Sequence, residues 1–361
     1  MLVIDGCRIR SGGGILHAVK LMRSLSENEQ DAVLYASVEL YEALKQFSCS
    51  MNMKIEIVNS KSILTSLFWQ RFRLPKILKK LDDCQLVTLD SGSISPARHK
   101  IVIHQDISIF MPRLWLLRGT LSSQVRNIIL LLANIYTFWR SDLVIFQSEF
   151  SQKLVGKYIK TKSAIIPHGT EKWFVKSEVT KNENESILKI VCVSPIYPYK
   201  DYKTVFEACR LLERYYDIEL VICGEIADKT EFKRLLRLKG KLARNAIVKF
   251  EGHLSKSDIE DRVNAADVMV FSSLSETFGI TLLECMQSQT PVIASSFEVS
   301  QEILDNPHAI FLKSNAISLS NLIKRVKERS DFAKTIVMKQ NIRVNDFSWS
   351  KSMTCFQMYL R

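Results

Sequence analysis

Short apolar runs along the chain alternate with longer stretches in which apolar positions recur every three or four residues. The short runs predict strands at Leu2–Ile4, Ala32–Tyr35, Lys54–Val58, Leu86–Leu89, Ile101–His104, Leu143–Gln147 and Ser163–Ile166. Amphipathic segments such as Ile15–Ser26 and Val38–Phe47 lie between them and predict helices. After Pro167-His168-Gly169 the pattern breaks. Ser177–Ser186 is polar and charged with no apolar period, which predicts a linker or surface loop. A second alternation then begins. It predicts strands at Ile190–Val193, Glu219–Cys223, Ile247–Glu251, Val268–Phe271 and Pro291–Ala294, and helices at Thr204–Tyr215, Thr230–Leu238, Lys256–Ala266 and Ile280–Gln289. Strand–helix alternation of this kind implies parallel sheets covered by helices. The predicted fold class is therefore α/β, with two doubly wound domains in tandem over residues 1–172 and 187–345. Two such domains facing one another are expected to leave a cleft at the carboxyl ends of the strands, where open α/β sheets bind ligands.

Composition fits two full cores: 361 residues, 47% hydrophobic and 24% charged. The net charge of +12 is uneven, because residues 1–170 hold 22 Lys and Arg against 13 Asp and Glu. A basic half suits an anionic partner, whether nucleic acid, a membrane surface or a phosphorylated substrate; it equally suits a surface tuned for solubility. The eight cysteines form no C-x-x-C pair and mostly sit in apolar runs, so they read as core residues in a reducing compartment. The sequence opens directly on a strand, with no leader expected. Its longest apolar stretch, Ile128–Trp139, is interrupted by Asn134 and Thr137 and is shorter than the roughly 20 residues of a membrane span. A cytoplasmic chain without a transmembrane helix is expected.

The segment with most chemical content is Ser275-Glu276-Thr277-Phe278-Gly279-Ile280-Thr281-Leu282-Leu283-Glu284. It follows a strand and opens a helix. Gly279 permits close backbone approach, and the amides of Ile280 and Thr281 at the helix start suit a diphosphate. Glu276 precedes the helix, and Glu284 lies just over one turn inside, where a carboxylate can accept two hydrogen bonds from a ribose diol. Taken alone, a Glu pair at this spacing is more often a loop acid and an ordinary helical Glu. Its neighbours change that weighing. With Ala265-Ala266-Asp267-Val268, Ser273, Phe278-Gly279 and Pro291-Val292-Ile293-Ala294, the segment resembles the E-x7-E region of the family 4 retaining glycosyltransferases, which have the GT-B fold of two Rossmann-like domains.

The resemblance implies roles residue by residue. Glu276 would contact donor-sugar hydroxyls, Glu284 the nucleotide ribose, and the amides of Gly279, Ile280, Thr281 and Leu282 the diphosphate. Ser194-Pro195-Ile196-Tyr197-Pro198-Tyr199-Lys200-Asp201 resembles the loop in which a Lys contacts the donor phosphates, a role that falls to Lys200. The Arg that many members carry upstream in that loop is missing. Gly224 and Gly252, at two strand ends, match loops that line the base pocket. Gly12-Gly13-Gly14 matches a Gly-rich loop between the first strand and helix, with Gly13 and Gly14 approaching phosphate or sugar. His104, after strand Ile101–Ile103, matches a His that reaches the donor sugar. Ile166-Pro167-His168-Gly169-Thr170 resembles the I-P-N-G-V junction, with His168 in place of Asn. Ser148-Glu149-Phe150-Ser151 resembles a helix start, with Ser148 as N-cap. Phe347-Ser348-Trp349 resembles the F-S-W signature, which implies a final helix over residues 346–361 crossing back to the first domain.

By this resemblance the chain is expected to be a metal-independent retaining transferase, since no D-x-D occurs. It would move a hexose-type sugar from a UDP or GDP donor to a glycan or lipid-linked saccharide acceptor, as in O-antigen or capsule synthesis. No metal, no further cofactor and no nucleic-acid partner are expected. A nucleotide-sugar 2-epimerase of the same fold, or a non-catalytic nucleotide-sugar-binding relative, are the alternatives. The stretch Arg113 to Arg140 interleaves Arg113, Arg118, Arg126 and Arg140 with Leu114, Trp115, Leu116, Leu117, Ile128–Leu132, Tyr136, Phe138 and Trp139. It reads either as a core helix pair with solvated arginines or as a peripheral contact with the anionic inner face of a membrane.

Overall fold

A computed structural model describes residues 1–10, 12–46, 53–60, 62–81, 83–112, 121–170 and 187–360. The expected Ser177–Ser186 linker, Cys49, and the Arg113–Arg118 part of the basic stretch lie outside the described residues. The chain forms two compact units. One comprises Met1–Gly169 with Trp349–Arg361, the other Thr170–Ser348.

The first unit holds a seven-stranded parallel sheet. Its strands are β1 (Leu2–Gly6), β2 (Ala32–Ala36), β3 (Lys54–Ile57), β4 (Gln85–Thr88), β5 (His99–Ile103), β6 (Leu143–Phe146) and β7 (Lys162–Ile165). Their spatial order is β3-β2-β1-β4-β5-β6-β7. The second unit holds a six-stranded sheet of β8 (Ile187–Val193), β9 (Asp217–Cys223), β10 (Ala246–Gly252), β11 (Val268–Phe271), β12 (Val292–Ser295) and β13 (Ile310–Phe311), in the order β10-β9-β8-β11-β12-β13. In both sheets the strand order reverses beside the first strand, between β1 and β4 and between β8 and β11. Such a reversal opens a crevice at the carboxyl ends of the strands.

Burial explains why the strands were readable. Central parallel strands are covered on both faces and become continuous apolar runs. Val268-Met269-Val270-Phe271 is buried at every position, as is Leu143-Val144-Ile145-Phe146. The edge strand β3, Lys54-Ile55-Glu56-Ile57, is half-exposed and charged, which discourages further pairing. The first unit's core gathers Leu2, Ile4, Leu21, Met22 and Leu25 with Met353 and Phe356 from the closing helix Trp349–Gln357.

Most helices shift by one to three residues from their expected limits, and two shifts bear on candidate site residues. The helix after β1 spans Gly12–Glu27, so the three glycines form its first turn and not a separate loop. The helix expected over Ile280–Gln289 ends at Cys285. Turns from Gln287 N to Glu284 O and from Ser288 N to Cys285 O close it. Pro291 biases the residue before it away from helix as the chain enters β12. Several helical regions are additional: Glu298–Leu304, Ala316–Glu328 and Ser330–Arg343 in the second unit, and one between β3 and β4 in the first. Ile63–Phe68 continues through a π-turn at Trp69–Arg73 into Leu74–Leu78.

Candidate functional site

In the second unit the crevice between β8 and β11 is built by the loops leaving those two strands. The β8 loop runs from Ser194 and ends in a 3₁₀ turn, Pro198–Lys200. Several contacts fix it. The Tyr202 hydroxyl reaches the Ser194 carbonyl and hydroxyl, both at 2.7 Å. Ile196 N donates to Glu225 O, and Asp228 N to Ile196 O. Asp201 takes the left-handed conformation (φ 50°) and accepts from the hydroxyls of Thr204 and Ser314. This turn directs the Lys200 ammonium at Glu276, where Nζ meets Oε1 at 2.6 Å with both side chains largely buried. The same ammonium lies 5.3 Å from the centre of the Tyr199 ring and 5.7 Å from that of Phe271, within cation–π range.

The β11 loop is held to the β8 loop by Leu274 N donating to Tyr199 O at 2.8 Å and by the Ser272 hydroxyl donating to Lys200 O at 2.6 Å. Glu276 leads to Gly279, whose φ of 86° lies in the left-handed region that favours glycine. Gly279 starts the Ile280–Cys285 helix and, lacking a side chain, does not itself cap the amides of the first turn. Ile280 and Thr281 are half-buried there, while Leu282 and Leu283 point into the core. Phe278 anchors the turn against Phe347, ring centres 5.8 Å apart. One turn on, burial pushes the Glu284 carboxyl from 4.5 up to about 7, and the positive charge of Lys256 pulls the other way.

Gly224 and Gly252 end β9 and β10 and pair with one another in an isolated bridge. A Cβ on Gly224 would stand 2.0 Å from the Ser194 carbonyl oxygen, so glycine is required there by the neighbouring loop's backbone. Gly252, with φ of 68°, has open space where a side chain would stand. Beside it the Glu251 carboxylate accepts from Arg262 at 2.7 Å. The structure thus brings together Lys200, Glu276 and the Gly279 turn.

In the first unit one expected site residue is enclosed. His104 was expected to reach a sugar from the end of β5, yet its ring is fully buried. Phe110, Phe138 and Phe146 surround it at 5.5–5.8 Å, and its Nδ1 pairs with the Ser91 hydroxyl at 3.0 Å. This apolar enclosure lowers its pKa to about 3, keeping the ring neutral. The His104 Nε2 is buried and has no hydrogen-bond partner among the described residues. The residue after it behaves differently: Gln105 Nε2 meets His17 Nδ1 at 3.0 Å, and Gln105 Oε1 lies 3.0 Å from where a Cβ on Gly14 would be. Gly13 is exposed and Gly14 half-buried on this first turn.

Sequence reasoning missed two arrangements. At the β1–β4 reversal Asp5 is fully buried and accepts from Ser93, Cys7 N and Gln70, which the π-turn brings inward. Burial raises its pKa. Next to it Arg8 pairs with Asp90 at 3.0 Å. Nothing in the local pattern marked Gln70, since Arg71 and Arg73 beside it are polar as well. Second, His17, His168 and Trp349 pack ring against ring, at 4.8, 5.6 and 6.0 Å between centres. His168, in place of the usual Asn, is thus a buried neutral packing residue, its pKa pushed well down by burial and by His17. Among the expected structural roles, the Ser148 cap is present, since its hydroxyl accepts from Ser151 N. The described cysteines are all free thiols, most of them buried.

With this geometry in place, comparison with known proteins is informative. Residues 172–343 match the family described as glycosyl transferases group 1. Over 182 residues the chain is 26% identical to a Drosophila melanogaster tRNA-queuosine alpha-mannosyltransferase, covering 48% of this chain and 47% of that protein. It is also 26% identical over 156 residues to the Salmonella typhimurium O-antigen chain mannosyltransferase RfbU, covering 42% of each. The matches thus span about half the length of these relatives, or less. Among solved structures, Anabaena HepE in complex with UDP and glucose superposes with a TM-score of 0.74 at 15% identity, covering 99% of this chain and 98% of that one. This is a likeness of fold.

Proposed function

We propose, from the match of residues 172–343 to the group 1 glycosyl transferases and from the two Rossmann-like units, that this protein transfers a hexose-type sugar, with retention, from a UDP or GDP donor. The observation that carries the reading is the Lys200–Glu276 pair beside the Gly279 turn, at the strand-order reversal of the second sheet. The donor diphosphate lies against the Gly279–Leu282 amides and the Lys200 ammonium. Its ribose is held by Glu284 and its sugar hydroxyls by Glu276. On diphosphate binding the Lys200 charge is shared between Glu276 and the phosphates, which leaves the carboxylate free to accept from the sugar.

Retention proceeds by attack of the acceptor on the face that the leaving group vacates, through an oxocarbenium-like state. Negative charge gathers on the departing diphosphate. A fixed ammonium and helix-start amides stabilise that charge without reorganising, and losing one such contact costs about 3–4 kcal/mol. They take the part a metal ion plays elsewhere, so the transfer needs none. Lys200 supplies one of the cations that other members divide between Lys and Arg; the other is missing or comes from elsewhere. In the first unit, which carries the acceptor, Gly13 and Gly14 offer backbone amides to a phosphate or sugar. The acceptor is a glycan or lipid-linked saccharide of surface-polysaccharide synthesis, and the enzyme works in the cytoplasm against the inner face of the membrane. The 26% identity to the O-antigen chain mannosyltransferase RfbU favours this class of acceptor.

The test is a panel of nucleotide sugars assayed for slow hydrolysis and transfer in excess EDTA, with NMR of the product linkage. Turnover of one or a few donors, with the anomeric configuration kept, is expected. Isomerisation of a donor without any acceptor, or complete dependence on added Mg²⁺ or Mn²⁺, would overturn the proposal.

A further inference from the structure

The helix Leu121–Trp139 carries apolar residues on both faces, with Leu130, Ala133 and Phe138 buried on the inner one. Its polar Asn134 and Thr137 point inward. Asn134 donates to Leu130 O and pairs with Ser91, and the Thr137 hydroxyl lies 2.7 Å from Ala133 O and 2.8 Å from Ser93 O. Its outward positions are apolar as well: Leu121, Val125, Ile128, Ile129, Leu132 and Tyr136 are exposed, Leu132 to 63%. Their spacing of three and four residues places them in one stripe along roughly 28 Å of helix. The stripe ends at the exposed Trp139, whose indole donates to Tyr158 O at 3.0 Å and lies under the Lys160 ammonium at 4.9 Å.

A second stripe belongs to the same unit. Leu64, Phe68 and Phe72, four residues apart, are exposed on the segment that runs through the π-turn. Its Ile63 packs on the core cluster that also contains Leu130 and Phe138, so the two segments are neighbours. Scattered exposed apolar residues are ordinary, but two ordered stripes on adjacent segments form a patch that calls for a partner.

Charge selects which partner. Residues 57–81 contain six Lys and Arg, and residues 107–141 contain four, with no Asp or Glu in either. Arg71, Arg73, Lys76 and Arg126 are exposed alongside the stripes. A self-complementary protein interface would need acids to answer these cations, and neither segment supplies any. An anionic bilayer offers both what the apolar stripe and what its cationic border require. No helix among the described residues is long and apolar enough to cross a membrane. The geometry of Leu121–Trp139 suits lying in the headgroup layer.

We infer that the outer face of Leu121–Trp139 and the Leu64–Phe68–Phe72 stripe form one interfacial docking surface for anionic lipid, with Trp139 and Lys160 at its border. This gives the peripheral membrane contact of the proposed function a specific surface, and it rests on that reading only for the purpose of the contact. The binding itself is measured without donor or acceptor.

The full chain is sedimented with phosphatidylcholine vesicles and with vesicles that also contain phosphatidylglycerol, at low and high salt, with solution mass followed by light scattering. Preferential recovery with the anionic vesicles is expected, falling about tenfold or more as salt screens the cations. Leu132→Glu and Phe68→Glu alter exposed positions and should each lower vesicle partition at least tenfold while leaving donor hydrolysis unchanged. Met338→Glu, exposed in the second unit, should leave partition unchanged. Equal recovery with neutral and anionic vesicles at low salt overturns the inference. So does a dimer that Leu132→Glu dissociates while wild-type protein ignores both vesicle types. Vesicle binding by a chain that processes no nucleotide sugar would sink the proposed function and leave this surface standing; donor turnover without vesicle binding would do the reverse.

Discussion

Glu284→Gln isolates one charge at the centre of the second unit. The Glu284 carboxyl sits one turn into a six-residue helix, and burial moves it from 4.5 to about 7 despite the positive Lys256. The sign follows from proton counts. Between pH 4.5 and 7 the native carboxyl holds a proton that the unfolded chain has released. Stability therefore falls as pH rises through that window and levels off above it. At about 1.4 kcal/mol per pH unit, the cost of ionising Glu284 in the folded chain is on the order of 3 kcal/mol. A glutamine fills the same volume without that cost. In urea unfolding, wild-type protein should lose stability between pH 5 and pH 8 relative to Glu284→Gln, and the variant should be the more stable at pH 8. A ribose diol that donates to the carboxylate favours the ionised form. UDP or GDP binding should therefore tighten as pH rises through 7 and release a proton, and Glu284→Gln should bind more weakly. Carboxyl ¹³C NMR reads the titration directly. A Glu284 midpoint near 4.5, or unfolding curves with the same pH dependence in variant and wild type, would refute the reasoning.

Lys200→Ala and Glu276→Ala should each lower turnover by ~10²–10³ in donor hydrolysis. Because the two side chains share one 2.6 Å contact, the double variant should lose less than the product of the single losses, and fully multiplicative losses would contradict the coupling. The buried His17, His104 and His168 have pKa values pushed down to about 4, to about 3 and well below normal. The native first unit therefore binds fewer protons than its unfolded chain, and its stability should drop as pH falls below 6.5. The cost should be about 2 kcal/mol per histidine by pH 5, read as faster proteolysis of that unit; equal protection at pH 5 and 7 would contradict it. Gly224→Ala puts a Cβ 2.0 Å from Ser194 O and should cost about 1–3 kcal/mol while weakening nucleotide binding in calorimetry. Unchanged affinity and stability would show that the loop yields freely.

The fold was largely legible because its central strands are covered on both faces. Val268–Phe271 was read with its observed limits, since nothing but burial decides its composition. The Ile63–Leu78 region was missed for a local reason: a π-turn shifts the apolar period partway along it, and Gln70 faces inward to a partner 65 residues away. The site was legible unevenly. Gly279 announces itself by its place between a strand and a helix, and its left-handed φ accords with that. Lys200 and Glu276 are ordinary residues in isolation, 76 positions apart, and only resemblance suggested that they share a site. The enclosure of His104 was not legible. A histidine ending a strand looks the same in sequence whether it faces solvent or three phenylalanines from other segments. The glycines at 12–14 read as a loop because glycine is a poor helix former, yet they occupy a first turn, where that weakness costs least.

Trp349, Met353 and Phe356 have a consequence for the order of biosynthesis. They complete the first unit's core, yet they are translated only after the whole of Thr170–Ser348. The N-terminal half therefore emerges from the ribosome with an open apolar slot and two histidines, packed edge to face, awaiting their indole. The middle segment, contiguous in sequence, can close its own sheet first. Nascent chains halted before residue 349 should accordingly present a protease-sensitive first half behind an already resistant second, a reversal of the usual vectorial order.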